Sequence, residues 1–437
     1  MIFKRGKDGE TRGVSFLERM RGADTATTVP DLPGFATNAT DDFADGQGVR
    51  SLSRARLAIS ETLGASQPVT QRDRFAGRRD TLAELIAAIE QQRAHVVIYG
   101  ERGIGKTSLV HVFAETARDA RYLVLYGSCG VEARFDEMFR SFAARIPLLY
   151  HRNVSPTADE AEHNRSFETL LPEGPAGPRE FADIFVDLVG TRVVLILDEY
   201  DRVADASFRR DIAELIKNLS DRAARVQLIL TGVASNLDEL IGFTPSIRRN
   251  IIGLPVAPMA AGEMTDLLAM GEKATGLAYA DSARAMIVTM AGGSPYITRL
   301  LGSRAAHAAL DARVATVTDA HVRAATESTL NEWNAGLPRR VQAMLTRPEV
   351  RAAWPTLIAA ARASGSPDGW FGADEVAAEA GDIDTAPAVE RTLAGFLSPL
   401  DLFETRQDAQ SGARFRFRYQ GVAQLLNLSA AMARLSA

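Results

Sequence analysis

The chain is poor in lysine, cysteine and aromatic residues, and it has no long apolar run. In 437 residues only Lys4, Lys7, Lys106, Lys217 and Lys273 carry an ammonium, so the basic side is almost wholly arginine. A lysine in a specific setting therefore needs a reason. The single cysteine, Cys129, excludes an intrachain disulfide and any multi-cysteine zinc site, which suits a reducing compartment and makes the cytoplasm the expected location. Nowhere do about 18 consecutive apolar residues occur, and no apolar stretch follows the basic Met1–Lys7, so neither a membrane span nor a secretory leader is expected. Lys and Arg total 50 against 55 Asp and Glu, a formal charge of −5, which leaves no global basic field to draw the protein to nucleic acid or membranes. The six histidines show no metal-ligand spacing, and no G-x-S-x-G nucleophile elbow is present. What is present is 46% hydrophobic content, enough to bury a core, in a length that allows about two to three domains.

Texture divides the chain. Residues 1–70 are polar and broken, with too little periodic apolar content to offset the cost of ordering, so an N-terminal arm is expected with Val14–Met20 and Leu52–Leu63 as local helices. From 71 to 258, short apolar runs alternate with helical patterns. The runs are HVVIYG (95–100), RYLVLYGSC (121–129), RVVLILD (192–198), VQLILTG (226–232) and NIIGLPV (250–256). They are apolar at nearly every position, as a parallel strand covered on both faces requires, and predict a doubly wound α/β fold on five parallel strands. From 259 to 338 the strands stop and amphipathic helical patterns follow, predicting an all-helical module. Residues 339–437 read as three helices and a β-hairpin, the winged-helix pattern.

Between the first run and the next helix stands Gly100-Glu101-Arg102-Gly103-Ile104-Gly105-Lys106-Thr107, followed by Ser108. It satisfies G-x-x-x-x-G-K-[ST] in the strand-to-helix setting that a phosphate-binding loop needs. The glycines let backbone N–H groups face a phosphate chain at the positive end of the following helix. Lys106 is placed to reach the outer phosphates and the Thr107 hydroxyl to ligate Mg²⁺, so ATP or ADP with Mg²⁺ is the expected cofactor set. A bare tight turn would need neither residue. The third run ends in Asp198-Glu199, which delivers two carboxylates to the carboxyl edge of the sheet: Asp198 for Mg²⁺, Glu199 to polarise an attacking water. A solvated turn is the alternative for this pair. After the fourth run, Ser235 is the first candidate for a polar group beside the γ-phosphate, with Thr231 and Asn236 behind it. Ser and Asn also serve as helix caps there.

These motifs together resemble the AAA+ and STAND branches of P-loop ATPases, in particular origin-recognition-like ATPases with a winged-helix tail, over roughly residues 73–435. The resemblance implies a slow ATPase whose nucleotide state changes the geometry of core, helical lid and winged helix. It likens Arg74-Phe75-Ala76-Gly77-Arg78 to the F-x-G-R segment beside adenine, with Phe75, Gly77 and Arg78 as binding residues. It likens Arg248 or Arg249, before the fifth strand, to an arginine finger acting on a neighbour's γ-phosphate, a surface salt bridge being the alternative. In the lid, Gly292-Gly293-Ser294-Pro295-Tyr296 is similar to the G-x-P segment of STAND lids, with Pro295 near the nucleotide. The G-D-x-R arginine of origin-recognition proteins is replaced here, and Arg299 stands about one turn later. A homo-oligomer and a protein partner are the assemblies it implies. DNA is the less favoured partner. The wing strand alternates Arg414, Arg416 and Arg418 with Phe415, Phe417 and Tyr419, which places arginines on one face and aromatics on the other. The residues around the presumed recognition helix, however, carry Asp382, Asp384 and Glu390 against Arg391, a poor start for phosphate contact. An amphipathic hairpin with its aromatics in the core is the preferred reading.

Overall fold

A computed structural model describes residues 52–154, 165–234, 236–241, 245–365, 369–381, 385–398, 400–408 and 412–435. The chain divides by its contacts at Ser53/Arg54, and the description concerns Arg54–Ala437. Val14–Met20, Ser235, Asp382 and Asp384 lie outside the described residues.

The five apolar runs form β1 (His95–Gly100), β2 (Leu123–Ser128), β3 (Val193–Asp198), β4 (Val226–Val233) and β5 (Ile251–Pro255). They make one parallel sheet in the order β2-β3-β4-β1-β5. Every residue of β3 is buried, which is why the run shows no alternation. One face packs a phenylalanine-rich layer, with Phe135, Phe139, Phe181, Phe185 and Phe208 among its members. The other face takes the helices Arg79–Glu90 and Lys106–Asp119 through Leu85, Ile89, Leu109, Val110 and Phe113. β1 lies between β4 and β5, so the loop leaving its carboxyl end opens beside the ends of β3 and β4. That crossing of strand order is where open α/β sheets bind ligands. His95, the first residue of β1, is buried and its Nδ1 accepts from Leu228 N at 2.9 Å. Burial holds its pKa down at about 4, so it is a neutral structural residue.

The helical module is built from Ala261–Thr275, Asp281–Ala291, Pro295–Asp311 and Asp319–Gly336. It is not purely helical: β6 (Ala278–Tyr279) and β7 (Thr316–Val317) pair in parallel, two residues each. The polar arm also ends sooner than residue 70. Leu52–Leu63 is a helix, and Ile59 and Leu63 are buried in the core of the helical module beside Leu267, Leu268 and Leu301. Leu63 meets Gly271, where a Cβ would stand 2.5 Å from Leu63 Cδ1. Apolar residues four apart on one helical face are thus paired with a partner module, which the local composition of the arm does not reveal.

Residues 339–435 hold the helices Arg339–Leu345, Trp354–Ala363, Ala373–Ala380 and Ala386–Ala394, with β8 (Phe371–Gly372), β9 (Phe403–Asp408) and β10 (Gly412–Phe417). The strands form an antiparallel sheet in the order β8-β10-β9, the winged-helix arrangement. Phe415 and Phe417 are buried against Phe371 and Phe403, so the aromatics of the wing lie in the core. A last helix, Gln420–Arg434, was not expected. It packs in this core through Leu426 and reaches the helical module through Leu428, tying the two together. Among the described residues no helix is long and apolar enough to cross a membrane.

Candidate nucleotide site

The loop after β1 turns on Gly105, whose φ of 98° lies in the left-handed region that a residue with a Cβ rarely adopts. From there Lys106–Asp119 runs as a helix, so the first-turn N–H groups point out over the sheet edge. Lys106 is 9% exposed and its ammonium donates to Gly100 O at 2.9 Å and Glu101 O at 2.7 Å. Burial lowers its pKa to about 8, against the opposing pull of Asp201 and Asp198. A buried cation held only by loop carbonyls is matched to an incoming polyanion. Burial likewise pushes Glu101 up, with Lys106 pulling the other way.

Asp198 ends β3 beside the loop and is 3% exposed. Its Oδ2 accepts from Thr107 Oγ1 at 2.9 Å and from Tyr126 OH at 2.7 Å. Its Oδ1 accepts from Glu199 N at 2.9 Å and from Thr231 Oγ1. A hydroxyl and a carboxylate side by side at the phosphate end of the loop are the hard oxygen donors that suit Mg²⁺, so the residues present fit that ion. Glu199 adopts a left-handed conformation, φ 54°, which turns its side chain off the line of the strand. Its Oε2 accepts from Arg202 Nη1 at 2.8 Å and from Ser128 Oγ at 3.2 Å.

A cavity of about 950 Å³ takes in Lys106, Thr107, Asp198, Glu199 and Arg202. Glu101 to Ser108, Asp198, Glu199 and Thr231 line it on the core side, with Phe75 and Arg78 from the segment before the first core helix. Gly77 itself does not line it. With φ 69°, Gly77 lies against the helical module, and a Cβ there would stand 2.9 Å from Glu263 Cβ. Glu263 accepts from Arg78 N at 2.6 Å and from Ala260 N at 2.9 Å, so the F-x-G-R segment is clasped to the first lid helix. Gly100 is likewise a backbone position, packed on Val256 O, rather than a lining residue. On the lid side Pro295 and Tyr296 approach the loop: a Cβ on Gly105 would stand 3.6 Å from Pro295 Cγ, and one on Gly103 3.7 Å from Tyr296 Cβ.

Thr231, the second choice for the polar residue at the end of β4, is fully buried on Asp198. Asn236 instead caps the helix Leu237–Ile241, accepting from Glu239 N at 3.1 Å. Arg248 and Arg249 do not line the cavity. They are exposed, with Asp238 at 3.7 Å and Asp221 at 3.8 Å respectively. Arg299 lines the cavity but its guanidinium donates to Thr62 O at 2.9 Å and Arg74 O at 3.0 Å, and burial lowers its pKa to about 10. The wing arginines are ion-paired: Arg414 to Glu375 at 3.1 Å, Arg416 to Glu404 at 2.5 Å and Arg418 to Asp401 at 3.3 Å.

Sequence reasoning missed several lining groups. Gly64–Val69 covers one side, and Val69 N donates to Ser108 Oγ at 3.1 Å. Arg202 had a weak signal, an arginine three after a candidate base. Arg416, Gln424 and Asn427 of the C-terminal module had none, because their approach to the cavity depends on how that module packs.

Residues 74–230 match the AAA ATPase domain family. No curated protein matches the chain. Among solved structures, a Walker-type ATPase of Pyrococcus abyssi is 16% identical, with a TM-score of 0.48 over 83% of this chain and 98% of that one. The RuvB Holliday junction branch migration motor of Thermotoga maritima is 18% identical, with a TM-score of 0.42 over 80% and 95%. The ORC1 protein of Aeropyrum pernix, solved in complex with DNA, is 14% identical, with a TM-score of 0.44 over 87% and 98%. The loop motif and the five-stranded parallel sheet agree with that match, and residues 74–230 are similar to an AAA ATPase domain.

Proposed function

We propose that the protein binds ATP with Mg²⁺, hydrolyses it slowly, and uses the state of the nucleotide to set the geometry of core (71–258), lid (259–338) and winged helix (339–437). The observation that carries this reading is one cavity lined by the phosphate loop, by Asp198 and Glu199, by Pro295 and Tyr296 of the lid, and by Arg416, Gln424 and Asn427 of the C-terminal module. A ligand there touches all three modules, so a change in its charge and length acts on their packing. Lys106 and the loop N–H groups bind the phosphates, Phe75, Arg78 and Pro295 flank the base and sugar, and Thr107 and Asp198 hold the ion. Bound there, Mg²⁺ supplies neutralisation of phosphate charge. Glu199, released from Arg202, accepts the proton of the attacking water. The group beside the γ-phosphate is Thr231 or Ser235.

ATP turnover of the wild type, Lys106→Ala and Glu199→Gln tests this. Lys106→Ala is expected to lose binding and turnover, Glu199→Gln to keep ATP bound and lose turnover. Equal turnover in all three sinks the assignment.

DNA binding is the second reading, and the paired state of Arg414, Arg416 and Arg418 speaks against it. A signalling scaffold with little turnover is the third. Arg248 and Arg249, exposed and loosely paired, are free to serve as fingers in a homo-oligomer. Size exclusion with ADP against a non-hydrolysable ATP analogue tests this, a constant monomer arguing against it.

A further inference from the structure

The Asp198 carboxylate accepts four hydrogen bonds, and one of them has no counterpart in the loop chemistry above. Tyr126 lies on β2, with its Cα opposite Ile196 of β3, and its phenol reaches along the strand to donate to Asp198 Oδ2 at 2.7 Å. Its ring is stacked on the imidazole of His111, centroids 4.8 Å apart and planes at 28°. His111 stands on the phosphate-loop helix, one turn after Thr107. Tyr126 thus links the loop helix, through His111, to the carboxylate.

The phenol is half-buried and packs with the apolar layer under the helix, where a phenylalanine would fill the same space. The hydroxyl is the only part of the side chain that needs a polar partner, and that partner is Asp198. Oδ2 is also the oxygen that Thr107, the other expected Mg²⁺ ligand, addresses, so two hydroxyls hold that oxygen. Thr231 and Glu199 N hold the other oxygen. With Tyr126 present the carboxylate has no free rotation. Without it, Oδ2 keeps one donor, and that donor is itself an expected ion ligand.

We propose that Tyr126 is a positioning residue, which sets the orientation of the Asp198 carboxylate and thereby the Mg²⁺ dependence of nucleotide binding. This rests on the reading of the cavity as a magnesium–nucleotide site. Outer hydrogen-bond partners of a metal-binding group are worth about 10–100-fold in metal affinity. The role is confined to the ion, since Tyr126 is not among the residues lining the cavity.

The test is Tyr126→Phe, which keeps the ring and its stack on His111. A fluorescent ADP analogue is titrated at zero Mg²⁺ and across a series of MgCl₂ concentrations, with a thermal melt of the nucleotide-free protein as the check on folding. The expected result is an unchanged affinity without Mg²⁺, and a Mg²⁺ concentration for half-maximal tightening raised about tenfold. Equal loss with and without Mg²⁺ marks Tyr126 as core packing only and overturns the proposal, as does an unshifted Mg²⁺ series. If the wild type itself binds the analogue with no Mg²⁺ dependence, the magnesium reading of the site fails and this inference with it. A wild type that responds to Mg²⁺ beside an unshifted Tyr126→Phe refutes the inference alone. Direct Mn²⁺ binding, read by electron spin resonance in the presence of ADP, is expected to weaken in the same variant and in the same direction.

Discussion

Lys106 carries its charge in a place that disfavours it, and this makes nucleotide binding a proton-linked event. Its pKa falls from the ordinary 10.5 to about 8 on burial, with two carbonyls and no carboxylate in contact. A shift of that size corresponds to about 3 kcal/mol of penalty on the charged form. The folded value lies below the unfolded one, so the penalty is fully present below about pH 8 and is relieved as pH rises from about 8 toward 10.5. The nucleotide-free protein is therefore expected to gain stability over that window. Bound phosphates restore the charged form, so binding in the window takes up a proton. At pH 9 a group with a pKa near 8 is mostly neutral, and binding should take up about 0.9 proton and be weaker by about tenfold than at pH 7. Calorimetric titration of ADP at pH 9 in two buffers of different ionisation enthalpy reads the uptake directly. At pH 7 the same pair of buffers should give equal heats. Buffer-independent heats at pH 9, or an affinity flat from pH 7 to 10, would refute the reasoning, because the lysine would then be charged in the empty site at no cost.

Other residues give shorter tests. The Glu199–Arg202 pair, 2.8 Å and about half exposed, holds the proposed base away from its water. Exposed pairs are worth about 0.2–1 kcal/mol, so Arg202→Ala should raise turnover by about 1.4- to fivefold with nucleotide affinity unchanged, and a fall in turnover would count against the resting role of this pair. Gly77→Ala forces a Cβ to within 2.9 Å of Glu263 Cβ at a positive φ, so urea melts should show a loss of about 1–3 kcal/mol. A neutral result there would mean that the clasp between Arg78 and Glu263 yields freely. His95, held down at about 4, makes the fold lose stability as pH drops from 6.5 toward 4, because the unfolded chain binds the proton first. The full loss is about 3 kcal/mol. His95→Gln, which can still accept from Leu228 N, should flatten the acid limb of the stability profile; an unchanged limb would assign acid sensitivity elsewhere.

The nucleotide core was legible because its signals are local. A phosphate loop needs its glycines, lysine and threonine within one turn of chain, and a buried parallel strand must be apolar throughout, so 95–107 and 193–199 could be read without any knowledge of their neighbours. The alternation of Arg414, Arg416 and Arg418 with Phe415 and Phe417 likewise fixed which side of the wing is core. Contacts between distant segments were not legible. Leu52–Leu63 reads as part of a polar arm until Leu63 is found against Gly271, and the role of Arg299 is not legible until its guanidinium is found on the carbonyls of Thr62 and Arg74. The same holds for Tyr126, an aromatic in an apolar strand whose hydroxyl has meaning only once β2 is laid beside β3. Sequence by itself therefore determined the phosphate-loop motif and the sheet that carries it, since both depend on residues near one another in the chain. Tertiary structure decided which side chains surround that chemistry and how three modules share one cavity, since those depend on pairings that no local pattern encodes.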